Sequence, residues 1–447
     1  MRFPQASTLP RWRQKVQYIL NPLDYLDRGL QQSPDIVNAP VMGHHDILLL
    51  ISHPQGIQQL LTSDTKQFFA PRNDLLRPIV GEFSLFYLED SPHRQKRKLL
   101  LPPFHGDRIH QYGHLICQLA EQILDRLEVG THFTARSLMQ TVSLEVILKA
   151  VFGLSEGERF DEIKQTIVEL TDAFKSPLTS GALFLPILQK SWGGLSPWYS
   201  FLQLKQKINN LMAMEIRDRR KEDLSDRADI LSLLLSARDE EGQPMTDLEL
   251  QDQLFTLLLA GHETTATAIA WALYWIHRQP KIKETLRQEL DAIEATTDPM
   301  VLFKLPYLSA VCSETLRIYP VAILTSPREV REPVTLLGYD LQPGMRIYAS
   351  IYGLHRREEL YPKPLEFRPE RFLERTFTPY EFIPFGGGAR RCIGEMLALW
   401  EMKLALATII GKYELKLASD RPEIPKRRGV TLAPDRGVEM VAQGRRN

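Results

Sequence analysis

A ten-residue run near the carboxyl end of the chain places one cysteine among glycines and arginines. The run reads Phe385-Gly386-Gly387-Gly388-Ala389-Arg390-Arg391-Cys392-Ile393-Gly394. Glycines let the backbone approach a flat cofactor closely, and backbone N–H groups at a helix N-terminus stabilise a thiolate. Phe385 beside the sulfur would limit water, and Arg390 would neutralise a carboxylate of the cofactor. These features are typical of a cysteine thiolate that binds haem iron.

Two other interpretations of the glycine run fit the sequence less well. A dinucleotide-binding loop needs a third glycine, but Arg391 stands at that position. A nucleoside-triphosphate loop needs a lysine that this run lacks. Cys392 taken alone would most often be an inert buried thiol, but its setting favours a metal ligand.

The loop resembles the cysteine signature of the cytochrome P450 family, which reads Phe-x-x-Gly-x-Arg-x-Cys-x-Gly. The resemblance covers nearly the whole chain, from about residue 34 to the end. It implies a mostly α-helical fold with a small β subdomain, in which haem lies between a long central helix and the cysteine-loop helix. It also implies haem b (iron protoporphyrin IX), Cys392 as its axial metal ligand, and contacts from Phe385, Gly386 and Gly394. The activity implied is that of a haem-thiolate monooxygenase.

The family's central helix carries an oxygen-binding motif, and Ala260-Gly261-His262-Glu263-Thr264-Thr265 resembles it. Ala260 and Gly261 leave space above the cofactor for oxygen and substrate. Thr264 can hydrogen-bond dioxygen and Glu263 can relay protons, so these two are the predicted catalytic residues. The family's pattern leaves the position of His262 free, and we expect this ring to face away from the iron. A core helix with a glycine and threonines but no function is the alternative interpretation.

Two further matches follow the family's order along the chain. Glu314-Thr315-Leu316-Arg317 resembles its Glu-x-x-Arg helix, and Pro369-Glu370-Arg371-Phe372 resembles its meander motif. An acid and a base on one helix face are common at protein surfaces and mean little alone. Together the two motifs imply a buried network of Glu314, Arg317 and Arg371 that holds the meander supporting the cysteine loop.

Four basic side chains resemble the groups that bind the haem propionates in the family. His93 and Arg97 are four residues apart and share one helical face. Arg328 follows the Glu-x-x-Arg helix, and Arg390 lies in the cysteine loop. Each taken singly could be an ordinary surface charge, but as a set they are expected to offset two buried carboxylates.

Periodicity and turn signals predict the elements that carry these motifs. Small sheet segments are expected at residues 35–51 and about 334–351, and most of residues 54–278 is expected to be helical. Thr246 and Glu249 form a capping box that predicts the start of the central helix. Further helices are predicted at about residues 308–319 and 393–410. The central helix is apolar over residues 254–276, but its internal glutamate argues against a membrane span.

Composition excludes several classes of protein. The 447 residues are 43% hydrophobic and 25% charged with a formal net charge of zero, so nothing indicates nucleic acid binding. Three cysteines, Cys117, Cys312 and Cys392, argue against a disulfide framework and favour a reducing, cytoplasmic compartment. We expect a single domain over residues 1–447, with no signal peptide, membrane anchor or fused reductase.

The substrate contacts of the family vary, so the resemblance transfers them less directly. The apolar run Val321-Ala322-Ile323-Leu324 is expected to line the pocket, together with parts of residues 72–86 and 171–188. An apolar pocket favours a small lipophilic substrate, and a resemblance to cyanobacterial members implies a fatty acid or a terpenoid. Dioxygen would be the co-substrate, and electrons would come from a separate ferredoxin or flavodoxin with its reductase.

Residues 183–202 are a candidate substrate entrance, because they carry Phe184, Trp192, Trp198 and Phe201. Such a segment could touch a membrane surface in a peripheral manner. An equally good interpretation is a connection between helices that packs on the core.

Two other functions stay open on the sequence alone. A peroxide-dependent peroxygenase or a hydroperoxide isomerase needs no electron partner, but such relatives usually lack the acid–alcohol pair that Glu263 and Thr264 supply. A non-catalytic haem sensor needs no proton relay and usually carries an output module, which we do not find in the sequence.

Overall fold

The structure is a computed structural model of the chain, and it describes residues 9–446 apart from short gaps. The residues outside the description are 1–8, 43–46, 64–65, 73, 75, 105, 155, 174–180, 182–185, 190–195, 294–297 and 447. Helices dominate the described residues, and the strands form small sheets at the periphery of the helical part.

The helices follow apolar stripes in the sequence, and several begin at a proline whose missing N–H costs nothing in the first turn. They are α1 (Arg11–Leu20), α2 (Pro22–Gln32), α3 (Pro54–Thr62), α4 (Arg77–Val80), α5 (Asp90–Leu100), α6 (Asp107–Leu124), α7 (Ala135–Phe152), α8 (Glu158–Asp172), α9 (Pro197–Arg219), α10 (Ile230–Ser236), α11 (Asp247–Arg278), α12 (Pro280–Asp291), α13 (Pro299–Lys304), α14 (Pro306–Ile318), α15 (Ile351–Leu354), α16 (Arg371–Glu374) and α17 (Glu395–Lys412).

The strands are short, and most of them pair with strands distant in the sequence. They are β1 (Ile36–Asn38), β2 (Leu48–Ile51), β3 (Phe68–Phe69), β4 (His132–Thr134), β5 (Arg328–Val330), β6 (Val334–Leu336), β7 (Tyr339–Leu341), β8 (Arg346–Ala349), β9 (Tyr413–Leu417), β10 (Pro425–Arg428), β11 (Thr431–Pro434) and β12 (Glu439–Arg445).

The largest sheet has five strands in the order β1-β2-β8-β5-β3. Strands β2 and β8 pair in parallel, with Leu48 opposite Arg346 and Ile51 opposite Ala349, whereas the other pairs are antiparallel. Strands form in both sheet segments predicted from the sequence: β1 and β2 of the first meet β8 of the second in this sheet, whereas β6 of the second pairs with β7 in a separate hairpin. A three-stranded sheet, β4-β12-β9, and the hairpins β6–β7 and β10–β11 complete the β part of the described chain.

The central helix α11 crosses the largest apolar core. Its start is the predicted capping box: the Thr246 hydroxyl accepts from the Glu249 N–H, and the Glu249 carboxylate accepts from the Thr246 N–H at 2.8 Å. Helices α7 and α17 pack along it. A second core lies on one side of the five-stranded sheet, and a third lies between that sheet, α1 and α2.

None of the helices in the described part of the chain is both long and apolar enough to cross a bilayer. That finding includes α11, the helix that contains the apolar residues 254–276, and it agrees with the expectation from its internal glutamate.

One carboxyl group, Glu401 in α17, is buried with only 3% of its surface exposed. Burial raises the pKa of Glu401 to about 8, and the nearby Ser143 hydroxyl in α7 opposes that rise. The folded protein therefore keeps a proton on this group at neutral pH that the unfolded chain releases.

Glu401→Gln should change how stability depends on pH. The folded pKa of Glu401 lies above the ordinary value of 4.5, so the contribution of this group to stability falls as pH rises from about 4.5 to 8. The glutamine variant should be more stable than the parent near pH 8, by up to about 5 kcal/mol, and close to it near pH 5. Denaturant unfolding at both pH values measures this, with the exposed Glu128→Gln as control. A gain that is the same at both pH values would contradict the assignment.

Candidate functional site

The cysteine loop owes its shape to three consecutive glycines. Gly386 and Gly388 have φ of 69° and 62°, a left-handed conformation that other residues rarely adopt. A Cβ on Gly387 would lie 2.5 Å from Cδ1 of Leu61, so a larger residue would have to displace the end of that side chain of α3. The loop then closes through a hydrogen bond from the Cys392 N–H to the Phe385 carbonyl at 2.9 Å.

Cys392 lies just before the N-terminus of α17 and opens into a cleft. Its side chain is exposed, yet protein surrounds the sulfur closely enough that burial raises the pKa of the thiol. A sulfur that lines an internal cleft accounts for both observations, the exposed side chain and the raised pKa of the thiol. The backbone N–H of Gly394 and the charges of Arg97 and Arg391 oppose the rise in pKa, and each of these favours a thiolate.

The other two cysteines lack this setting. Cys312 is buried, and burial raises the pKa of its thiol to about 12. Cys117 is half-buried in α6, and burial also raises the pKa of its thiol. Of the three cysteines, Cys392 is the one whose accessibility and neighbouring cations suit a metal ligand.

The four predicted propionate-binding side chains lie together near the cysteine loop. Burial and, in decreasing order, the charges of Arg390, Arg97 and Arg328 together lower the pKa of His93 to about 3. His93 and Arg328 are 4% and 1% exposed. A neutral imidazole beside three guanidinium groups makes a strongly positive, largely desolvated cradle. Two carboxylates of a bound cofactor fit this donor set, because they would neutralise it and accept its hydrogen bonds.

Arg390 and Arg328 also tie the cradle to the backbone around it. Arg390 donates to the carbonyl of Leu85 at 2.6 Å and to that of Leu88, in the segment before α5. Arg328 donates to the carbonyl of Gly387 in the cysteine loop at 3.2 Å. These bonds fix the cysteine loop relative to α5 and β5.

The central helix presents a short accessible window in an otherwise buried stretch. Ala260, Gly261 and Thr264 are half-buried, whereas Thr265 and the residues that follow it up to Tyr274 are buried. The Thr264 hydroxyl donates to the carbonyl of Ala260 at 2.7 Å. His262 is buried, and its Nδ1 lies 2.8 Å from the carbonyl of Leu258, as expected for a ring that packs within the helix bundle.

Glu263 is engaged by side chains that sequence reasoning did not find. Its carboxylate accepts from Arg136 at 2.6 Å, from Arg428 at 2.9 Å and from Gln140. Arg136 and Gln140 come from α7, and Arg428 comes from β10. The structure thus brings Glu263 together with a cluster of cations, and its hydrogen bonds do not go to Thr264. No local signal in the sequence links these three positions.

A second unpredicted tie joins the central helix to the segment before α5. Asp252 accepts from the Phe83 N–H at 3.0 Å, Gln253 from the Leu85 N–H at 3.2 Å, and Thr256 donates to the Ser84 hydroxyl at 2.7 Å. The sequence did not predict these contacts, because Asp252 and Gln253 near the start of a helix could bond to many other segments. The segment therefore bridges the central helix and, through Arg390, the cysteine loop.

Glu314, Arg317 and Arg371 form the buried network that the resemblance implied. Glu314 and Arg317 are fully buried and pair through two hydrogen bonds of 2.6 and 2.8 Å. Arg371 donates to Glu314 at 3.1 Å and to the meander carbonyls of Pro362 and Lys363 at 2.7 and 3.0 Å. The network thus ties helix α14 to the meander.

His355 extends this network toward the cysteine loop, and sequence reasoning missed it. Arg317 donates to the His355 carbonyl at 2.9 Å, and the His355 Nε2 accepts from the Ile383 N–H at 3.1 Å. Burial, with the charge of Arg317, lowers the pKa of His355 to about 3. A neutral ring can accept that bond, so the backbone just before Phe385 is held in place.

The predicted pocket run lies where the three apolar cores meet. Val321 packs against the core around the central helix, Ala322 against the second core, and Ile323 and Leu324 against the third. Ile323 is buried, and the other three are half-buried. Val321 is therefore the member best placed to line a space beside the central helix.

The candidate entrance at residues 183–202 is described only in part. Phe184 and Trp192 lie outside the described residues. Trp198 and Phe201 are 5% and 0% exposed and stack on each other at 5.1 Å. These two rings are packed in the core, so the expectation that they could touch a membrane is corrected.

The fold is mostly helical, an accessible cysteine precedes a helix, and a basic cradle lies beside it. This arrangement fits haem that is bound through a cysteine thiolate. Proteins of this kind form the class of haem-thiolate proteins. The sequence model of the cytochrome P450 family matches residues 20–439, and the chain belongs to that family. Members carry cysteine-ligated haem b and act as monooxygenases, oxidoreductases that use dioxygen, a small substrate and a redox partner.

Several relatives and solved structures are similar over nearly the full length. Cytochrome P450 135B1 of Mycobacterium tuberculosis is 34% identical over 100% of this chain and 93% of its own. Cytochrome P450 137 of the same species is 34% identical over 92% of this chain and 84% of its own. Retinoic acid-bound cyanobacterial CYP120A1 has a TM-score of 0.85 at 24% identity, covering 98% of both chains. The cytochrome P450DA heme domain has a TM-score of 0.81 at 22% identity, covering 97% of this chain and 95% of its own.

Cys392→Ser should abolish the strongly red-shifted Soret band of the reduced carbonyl complex, because a serine hydroxyl does not replace the thiolate. Cys312→Ala and Cys117→Ala are matched controls that remove the other sulfurs, and both should keep the band. Absorption spectra of the purified, haem-loaded proteins measure the difference. A band that survives in Cys392→Ser would assign the iron to another ligand.

Proposed function

We propose that this chain hydroxylates unactivated C–H bonds of a small lipophilic substrate, a fatty acid or a terpenoid, with electrons from a separate carrier protein. The observation that carries the proposal is the accessible window on the buried central helix. There Ala260 and Gly261 leave room, and Thr264 supplies a hydroxyl in an otherwise apolar wall.

In this proposal residues 1–447 act as one domain around a single haem. Cys392 would hold the haem iron through its thiolate, with Phe385, Gly386 and Gly394 around the sulfur. His93, Arg97, Arg328 and Arg390 hold the propionates. Glu314, Arg317 and Arg371 have a structural role, because their bonds go to each other and to the meander backbone.

When bound, the haem supplies dioxygen activation, and its thiolate ligand donates electron density that favours cleavage of the O–O bond. The chain's own residues supply position and protons. The Thr264 hydroxyl keeps its proton at Oγ1 and orients it through the Ala260 carbonyl. Rotation of that hydroxyl would turn the proton toward the window without moving the helix.

Glu263 is the proposed group that passes protons toward Thr264. The cluster around it reaches solvent, because Arg428 also pairs at 2.6 Å with Asp172, whose side chain is 49% exposed. Two guanidinium groups hold the carboxylate in place within this cluster. To hand the proton on, the carboxylate has to release at least one of them.

Apolar lining supports the proposed substrate class. Val321 and Ala322 are half-buried at the junction of the cores and present only apolar surface to an apolar chain or ring of the substrate. A mostly apolar pocket with few polar groups favours lipophilic ligands. Parts of residues 72–86 belong to the same wall through the ties of Phe83 and Leu85 to the central helix.

A basic surface beside the cysteine loop supports an acidic electron carrier such as a ferredoxin or flavodoxin. Helix α5 exposes Arg94 and Lys98 there, and Lys98 also pairs with the exposed Glu240 at 3.0 Å. A cavity of about 370 Å³ opens between Arg94, Lys98, Arg97 and Ala389. Complementary charge would steer an acidic protein to the side of the fold that holds Cys392.

Thr264→Ala should keep haem and substrate binding but lower the ratio of product formed to NADPH used several-fold, with the lost electrons recovered as peroxide. The reason is that proton delivery fails while electron delivery continues. Product, NADPH and peroxide are measured in the same reaction.

Thr265→Ala is the matched control for that substitution. Its hydroxyl makes the same kind of bond, to the Gly261 carbonyl at 3.0 Å, but the side chain is buried away from the window. Thr265→Ala should leave the coupling ratio unchanged. An unchanged ratio in Thr264→Ala would remove its assigned role.

Lipophilic compounds should shift the ferric protein from low to high spin, because a bound substrate displaces water from the iron. A panel of fatty acids, terpenoids and retinoic acid tests this by difference spectra. Val321→Phe should change which compounds bind, whereas Val301→Phe, a surface change at a 43% exposed position, should not.

The compounds that bind are then tested for turnover with NADPH, ferredoxin and its reductase, and separately with peroxide alone. Product that depends on the electron supply supports the proposal. Product with peroxide alone would favour a peroxygenase, and a panel without any spin shift would favour a haem sensor.

A further inference from the structure

Helix α1 presents a stripe of apolar side chains to solvent. Trp12, Val16 and Leu20 follow each other at four-residue spacing, which puts them on one helical face, and Leu9 precedes them just outside the helix. Their exposed fractions are 63%, 46%, 46% and 40%. In the described part of the chain no other helix exposes three large apolar side chains at this spacing. An exposed apolar stripe of this kind indicates an interaction surface.

The charged residues of α1 itself are all positive, and Asp24 of α2, whose carboxylate lies 3.4 Å from the Gln17 amide of α1, pairs with Arg28. Residues 1–23 contain Arg2, Arg11, Arg13 and Lys15 and no Asp or Glu, although the whole chain has equal numbers of acidic and basic residues. Arg11 and Arg13 are exposed, and the Arg13 guanidinium lies 5.2 Å over the Trp12 ring. An amphipathic helix with cations and a tryptophan is the kind of surface that fits an anionic lipid bilayer.

The opposite face of α1 is fixed to the protein, so the stripe cannot turn inward. Gln14, Tyr18 and Ile19 are buried, and Gln14 accepts from the Tyr25 hydroxyl at 2.8 Å. Arg427 of β10, itself 3% exposed, donates to the carbonyls of Tyr18 and Ile19 at 2.9 and 3.1 Å. The last turn of the helix is thereby capped from the β10–β11 hairpin.

We propose that α1 docks this chain on the surface of an anionic membrane, with the stripe of Trp12, Val16 and Leu20 in the interface and Arg11 and Arg13 at the lipid headgroups. The helix lies along the surface and does not cross the bilayer. The occupant is inferred from charge complementarity between the cations of α1 and anionic lipid headgroups.

Docking through α1 would bring the pocket side of the fold near the bilayer. Tyr18 of α1 and Ile323 of the pocket run belong to the same apolar core. The hairpin that caps α1 also bonds to that run, since the Leu432 N–H donates to the Val321 carbonyl at 3.0 Å. The inference does not depend on the proposed substrate. If the substrate is lipophilic and dissolves in the bilayer, docking would place it near the pocket.

The test is flotation of the full-length, haem-loaded protein with vesicles. Vesicles of phosphatidylcholine with about one-third phosphatidylglycerol should carry the protein, and pure phosphatidylcholine should carry less of it, since each cation near an anionic surface contributes about fivefold. Trp12→Ser combined with Val16→Ser should lower the partition coefficient at least about tenfold on both vesicle types. Arg11→Gln combined with Arg13→Gln should weaken binding only to the anionic vesicles.

Val129→Ser and Leu365→Ser are matched controls, because these apolar side chains are 75% and 67% exposed elsewhere on the surface. Both should float like the parent, and the carbonyl spectrum confirms that each variant is folded. Absence of binding by the parent, or equal binding by the Trp12/Val16 variant, would overturn the proposal. A parent that dimerises in sedimentation and a stripe variant that does not, with no vesicle binding, would assign the stripe to a second copy and also overturn it.

Discussion

A carboxylate with no exposed surface has to find all of its partners inside the protein, and Glu314 is such a group. Two N–H groups of Arg317, one of Arg371 and the backbone N–H of Arg368 supply them. Other donors of the two arginines go to carbonyls of the meander, and one of Arg317 goes to the His355 carbonyl. The irregular meander therefore has one arrangement in which this buried charge is satisfied, and removing a member leaves an uncompensated charge at a cost of about 3–5 kcal/mol.

Hydrogen bonds connect the network around Glu314 to the cysteine loop. His355 receives the Arg317 guanidinium on its carbonyl and holds the Ile383 N–H with its ring. The Ile383 carbonyl in turn accepts from the Gly386 N–H at 2.9 Å, and the loop closes on the Cys392 N–H. Beyond the loop, Arg390 reaches the segment before α5, which the central helix holds through Asp252 and Gln253. Rigid supports of this kind keep a reactive group in position.

The sequence predicts what is local in this arrangement. The capping box of Thr246 and Glu249, the start of the last helix after Gly394 and the sheet segments follow from periodicity and caps. The glycine loop and the Glu-x-x-Arg helix follow from a resemblance, and the predicted basic set does come together. What the sequence leaves out are contacts between distant positions, such as Gly387 with Leu61 or Glu263 with Arg136 and Arg428. Residue type alone does not identify such partners, because many other arginines of the chain could have paired with Glu263.

The two groups of buried charge around the site differ in how they are balanced. Around His93, burial and then three guanidinium groups depress the pKa of the imidazole, so the protein itself offers a net positive cradle that gains most from two added carboxylates. Around Glu263 the arginines come with a carboxylate of the chain, and Asp172 adds a second. The first group therefore favours an incoming anionic cofactor, whereas the charges of the second are already balanced by carboxylates of the chain. Arg428 of the cluster around Glu263 is adjacent in sequence to Arg427, which caps the last turn of α1. The helix at the surface and the carboxylate on the central helix thus share the same hairpin as support.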